Sequence, residues 1–234
     1  MSESVFALRP LIAEAYRELT ERTGVESPAL AVRSSAVDED GSGSSFAGQH
    51  ETLLNVRGVD ATLDAIARCV RSAASEEASA YRRMRHLSLE DVQIAVLVQQ
   101  LIEADVSAVV FSVNPVSGDR GEIMITSNWG LGESIVGGTA TPDTFTVRKS
   151  DLAITWRQIA RKRDMTVMTP DGTVDSPVPD HLQLPPSLSD AHIIEVARLA
   201  QSLEVSTGVP VDVECAFGGG QLYLLQCRPV TTLH

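Results

Sequence analysis

Positive charge is scarce in this sequence. Only 19 Lys and Arg stand against 31 Asp and Glu, a formal net charge of −12 over 234 residues. So acidic a chain lacks the cationic face that nucleic acid or an anionic membrane requires, and neither is expected as its main partner. A small anionic ligand stays compatible, because a few well-placed arginines suffice to hold one. Aromatic residues are also few: two Trp, three Tyr and five Phe. Long apolar runs are missing, and stretches such as Ile94 to Val98 and Val106 to Phe111 are far too short to cross a bilayer. The start, MSESVFALRP, has no basic segment leading into an apolar one, so no signal peptide is expected. The three cysteines, Cys69, Cys215 and Cys227, form no C-x-x-C, which argues against a zinc site or a disulfide framework and favours a reduced, cytoplasmic setting. Common motifs are absent too. There is no G-x-x-x-x-G-K-[ST], no G-x-G-x-x-G between a strand and a helix, no G-x-S-x-G and no H-E-x-x-H. What is present, 43% hydrophobic and 21% charged residues, suits a folded globular protein of one large domain or two lobes.

The periodicities predict an α+β fold. Val5, Leu8, Leu11, Ile12, Ala15, Tyr16 and Leu19 mark a first helix, with Pro10 either inside it or at its start. A short strand at 29–33 leads into a polar, glycine-rich loop at 34–49, and a strand follows at 52–56. Helices are expected around Ala61 to Val70 and Glu76 to Arg85. From Val92 the pattern turns strand-like, with strands at 92–101, 106–113 and 122–127. Trp129 to Gly138 reads as a glycine-rich turn holding one helical turn. A hairpin at 144–149 and 153–162 follows, with a small β excursion through Asp175. Ser189 is an N-cap candidate for a helix ending at Gly208. The chain closes on a hairpin, Val211 to Phe217 and Leu222 to Arg228, around three glycines.

That last hairpin is the most informative feature. Side chains alternate faces along a strand, so an even register would put Asp212, Glu214, Gln226 and Arg228 on one face. Carboxylate and amide oxygens suit a hard cation such as Mg²⁺, and a neighbouring guanidinium matches a phosphate. The plain alternative is an amphipathic hairpin with a wet, salt-bridged face. Arg33, at a strand end before Ser34, Ser35 and the segment Ser45 to Gln49 with Gly48, suits a polyphosphate equally; the alternative is an ordinary loop. Trp129-Gly-Leu-Gly132-Glu133 is best read as a turn that needs glycine backbone angles. The cysteines read as small buried hydrophobes, and no histidine sits in a nucleophile or metal spacing.

Taken in order, these segments resemble one family. Ala31-Val-Arg33-Ser-Ser35-Ala36, Ser45-Phe-Ala-Gly48-Gln49 with Thr52, Val98-Gln99, Val106 to Phe111, Asn114-Pro115, Trp129 to Glu133, Thr141-Pro-Asp143, Asp212-Val-Glu214 and Leu225-Gln226-Cys-Arg228-Pro229 look like the nucleotide-binding ATP-grasp domain of the phosphoenolpyruvate synthase and pyruvate phosphate dikinase family. The branch most resembled is that of the rifampicin phosphotransferases. The resemblance runs from about Pro28 to Thr232, leaving 1–27 as an N-terminal helical segment and 28–234 as the nucleotide-binding domain. It implies that Arg33 contacts ATP phosphates, that Gly48 and Thr52 line the phosphate side, that Gln99 lies near the adenine, that Glu214 and Gln226 hold Mg²⁺, and that Arg228 neutralises the γ-phosphate region. Thr52 and Gln99 come from the resemblance alone. Position 108 is Ala where the family has Gly, and Cys215 replaces a frequent aromatic. Relative to the family pattern, the chain is expected to lack the N-terminal ATP-grasp portion with its lysine, and no T-x-x-G-G-x-x-S-H-like phosphohistidine segment occurs. The expectation is a Mg·ATP-binding phosphotransferase domain. It would act with a separately encoded N-terminal ATP-grasp piece and phosphohistidine domain on an unidentified small-molecule acceptor, or pair with a second copy of itself. The rival expectation is a non-catalytic nucleotide-binding or interaction protein.

Overall fold

Helix α1 (Arg9–Thr23) resolves the placing of its proline: Pro10 sits in the first turn, where a missing N–H is no loss. The helix ends at Gly24 in the left-handed conformation, φ 68°, whose N–H donates to the Thr20 carbonyl. Its inward stripe is narrow. Ile12, Tyr16 and Leu19 pack on the core, whereas Leu8 and Leu11, expected in the same stripe, are exposed. Leu8 precedes the helix as its N-cap, and Leu11 points about 100° round the axis from Ile12.

The computed structural model describes residues 5–36, 52–72, 94–170 and 172–230. Gly48, the polar stretch at 38–45 and the helix expected at 76–85 lie outside them. The described residues fall into two units, one within 1–101 and 169–172, the other within 102–168 and 173–234.

In the first unit, β1 (Leu30–Ala36) is the central strand of a three-stranded sheet, flanked by β2 (Thr52–Val56) and β3 (Ile94–Gln100), both antiparallel to it. Strand β1 does not stop at Arg33 as expected but continues to Ala36, because β3 supplies partners for the whole length, Ala36 opposite Ile94. One face is apolar. Leu30 and Val32 pack with Leu63, Ile66 and Cys69 of α2 (Val59–Ser72).

The second unit is a six-stranded antiparallel sheet in the order β11-β10-β4-β5-β6-β7. These are β4 (Val106–Phe111), β5 (Glu122–Trp129), β6 (Asp143–Arg148), β7 (Ile154–Gln158), β10 (Val211–Gly218) and β11 (Gln221–Pro229). A single-turn helix, α3 (Glu133–Val136), follows β5, and the excursion is a separate pair, β8 (Asp164–Thr169) and β9 (Gly172–Pro177). Helix α4 (Asp190–Thr207) starts at Ser189, whose side chain accepts from the His192 N–H, and ends at Gly208 with φ 74°. Its residues Ile193, Val196, Ala197 and Ala200 are buried with Val110, Ile125, Phe145 and Val213 of the sheet. The Trp129–Gly138 segment bears out the turn reading: Gly130 has φ 75°, and a Cβ there would lie 2.3 Å from the Thr166 carbonyl oxygen. The class is thus α+β, mostly antiparallel sheets flanked by a few helices, consistent with an ATP-grasp-like fold. Among the described residues no helix is long and apolar enough to cross a membrane.

Candidate functional site

The candidate residues assemble into one group per unit. In the second unit the group stands on the β10–β11 hairpin. Its turn is Gly219-Gly220, with φ 57° and 80°, joining Gly218 to Gln221. Two consecutive positive φ values make the tight hairpin turn that glycine permits. From it the ladder runs Phe217↔Leu222, Ala216↔Tyr223, Cys215↔Leu224. Continued without interruption, this register would set Glu214 opposite Leu225 and Asp212 opposite Cys227. Gln226 and Arg228 would then point to the other face. Instead the register shifts between Glu214 and Cys215, with Leu225 as the extra residue on β11, so that Glu214 faces Gln226 and Asp212 faces Arg228. The expected grouping of all four side chains on one face is therefore present, and a bulge produces it.

This face lies opposite the one covered by α4, since the alternating neighbours Val213 and Cys215 are in the core with Ala197 and Ala200. Across the next strand Glu214 stands opposite Val109 and Asp212 opposite Phe111. Within the group, Arg228 donates through Nε to Asp212 Oδ2 at 2.9 Å, and its Nη2 lies 2.9 Å from the same oxygen as an ion pair. Asp212 Oδ1 is buried with no hydrogen-bond partner. Burial pushes the Asp212 carboxyl above its ordinary range, and Arg228 offsets this only in part. The Cys215 thiol is pushed up to about 12 by burial and by the charge of Glu214. At neutral pH it is a protonated, inert side chain, as expected of a small buried hydrophobe.

The donor set is all oxygen: the Glu214 carboxylate, the Gln226 amide directly opposite, and the orphaned Asp212 oxygen. That chemistry fits Mg²⁺ and does not fit a soft metal. Among the described residues no three His, Cys, Asp or Glu gather closely enough to hold an ion by themselves. A Mg²⁺ here would complete its shell with phosphate oxygens and water, as this ion ordinarily does.

In the first unit, Arg33 stands opposite Thr52 on β2 and Leu97 on β3, and Gln99 is opposite Ala31. Arg33, Thr52 and Gln99 therefore share the sheet face turned away from α2. Arg33 Nη2 donates to Gln99 Oε1 at 3.1 Å. Sequence reading placed Arg33 at a strand end; it is a mid-strand residue held from both sides. Asp212 shares the hairpin face as the sequence suggests, whereas the burial of its unpartnered Oδ1 has no signature in the sequence.

Residues 5–234 match the family model described as the pyruvate phosphate dikinase AMP/ATP-binding domain. A phosphoenolpyruvate synthase of Pyrococcus furiosus is 41% identical over 95% of this chain and 28% of its own length. A probable phosphoenolpyruvate synthase of Methanocaldococcus jannaschii is 40% identical over 97% of this chain and 19% of its own. An uncharacterized phosphotransferase of Bacillus subtilis is 37% identical over 87% of this chain and 24% of its own. The chain thus spans between about a fifth and three tenths of the length of these relatives. With the match covering all but its first four residues, the chain belongs to the pyruvate phosphate dikinase AMP/ATP-binding domain family.

Proposed function

We propose that this chain binds Mg·ATP and serves as the phosphoryl-donor domain of a phosphotransferase. The observation that carries the reading is the bulged hairpin: it puts the Glu214 and Gln226 oxygens on one face beside the Arg228 guanidinium. Family membership supports ATP as the ligand. Glu214 and Gln226 hold the Mg²⁺, which when bound neutralises phosphate oxygens. Arg228 stabilises charge on phosphate oxygens, Arg33 is assigned a phosphate contact as well, and Thr52 and Gly48 are assigned to the phosphate side. Gln99 completes the nucleotide-contacting set. No side chain here is asked to become covalently modified. Catalysis is positioning and charge neutralisation, which is what phosphoryl transfer demands of a protein.

Residues 28–234 form the nucleotide-binding domain, of the ATP-grasp type, and 1–27 are a helical segment attached to it. The phosphoryl-accepting histidine, the lysine-bearing ATP-grasp portion and the small-molecule acceptor are supplied outside these 234 residues. The small share of its relatives' length that the chain spans supports this. Within the family the kinship is with the rifampicin phosphotransferase branch, on the motif order given above, and the setting is cytoplasmic.

The test is calorimetric titration of the chain with ATP, with and without Mg²⁺. Wild type is expected to bind with an affinity that depends on Mg²⁺, and Glu214→Ala to lose that dependence. Equal Mg²⁺-dependent binding in the two proteins would refute the assignment.

A further inference from the structure

We propose that Gln99 is a positioning residue for Arg33, acting at the phosphate end of the nucleotide rather than only near the base. This rests on the Mg·ATP reading above and refines it. Gln99 stands opposite Ala31, two residues before Arg33, so it shares a sheet face with the guanidinium on the adjacent strand. Its side-chain oxygen accepts from Arg33 Nη2 at 3.1 Å. A guanidinium carries donors only, so the amide atom turned toward it can only be the oxygen, and Arg33 thereby sets which way the amide faces. On the other side Arg33 is flanked by Thr52, its direct cross-strand neighbour. Both flanking side chains are uncharged. A neutral acceptor fixes the direction of the guanidinium without cancelling its charge, whereas a carboxylate would do both. Gln99 thus sets the direction in which the Arg33 guanidinium points.

The experiment titrates the full chain with two probes in the presence of Mg²⁺: ATP, and inorganic tripolyphosphate, which has no base. Gln99→Met keeps the length of the side chain and removes the acceptor. The expected result is a loss of affinity by a similar factor for both probes, about tenfold, the size set by one hydrogen bond to a charged group. In an Arg33→Ala background the same substitution is expected to cost little more. Two results would overturn the positioning role: ATP affinity lost while tripolyphosphate affinity is kept, or losses that multiply in the double variant. Partial unfolding lowers the number of binding sites and not their affinity, so the two effects separate in the same titration. Wild-type protein that binds neither probe would overturn the Mg·ATP reading itself, and the positioning role with it.

Discussion

Lys162 shows how much a single residue can hold. It is fully buried, and its ammonium donates to Asp143 Oδ1 at 2.8 Å and to the Ala160 carbonyl at 3.0 Å. The Asp143 carboxylate, buried as well, also accepts from the Ala160 N–H at 2.9 Å and from the Ser187 N–H and hydroxyl at 2.7 and 2.8 Å. The Ser187 hydroxyl lies 2.7 Å from that of Ser127. Both charges are thus paired and hydrogen-bonded, which is the condition under which a buried ion pair is tolerated. The network ties the start of β6 to the chain leaving β7 and to the segment before α4. Lys162→Met leaves the carboxylate without its counter-ion and is expected to cost about 3–5 kcal/mol, read as a lowered urea midpoint. A loss below about 1 kcal/mol would mean that the three remaining donors satisfy Asp143 unaided. No pattern in the sequence marks Lys162. It reads there as an ordinary polar residue at the end of a hairpin.

Among the elements, the β10–β11 hairpin has the most to do with function, and its decisive feature is one extra residue. The Gly219-Gly220 turn alone sets a register in which Gln226 and Arg228 face away from Glu214; the bulge at Leu225 brings them round. A one-residue slip reverses every side chain beyond it. Deleting Leu225 removes the extra residue and leaves Glu214 opposite Gln226 and Asp212 opposite Arg228 in an unbroken ladder, so Mg²⁺-dependent ATP binding is expected to survive the deletion. Circular dichroism and calorimetry on the deletion variant check this. Loss of binding in a folded deletion variant would show that the facing of these four side chains is not sufficient to build the site. Helix α4 is the opposite case, an element whose limits follow from local chemistry. The Ser189 cap, the Gly208 stop and the apolar stripe from Ile193 to Ala200 are found where the sequence puts them.

At the scale of the molecule, the described residues form two cores that share no residue, one around Val32, Leu63 and Ile66, the other around Val110, Ile125, Phe145 and Val196. Each is built from one sheet and its own helices, so damage is expected to stay local. Leu63→Ala, a cavity costing about 2–5 kcal/mol, should loosen amide hydrogen exchange in β1 to β3 and spare β4 and β5. Equal loosening of both sheets would refute independence of the cores. By itself the sequence determined the α+β class, most strands and helices, the caps of α4, and which residues carry oxygen and guanidinium groups suited to a metal-bound phosphate. Those properties are local: they depend on spacing, turn chemistry and side-chain type within a few residues. Only the tertiary structure decided that β1 runs past Arg33, that Gln99 meets Arg33, that Lys162 is buried against Asp143, and that four polar side chains of the last hairpin share a face. Each of these depends on which strand lies alongside and in what register. Strand alternation has a period of two, so one bulged residue changes the answer while leaving almost no trace in composition or pattern.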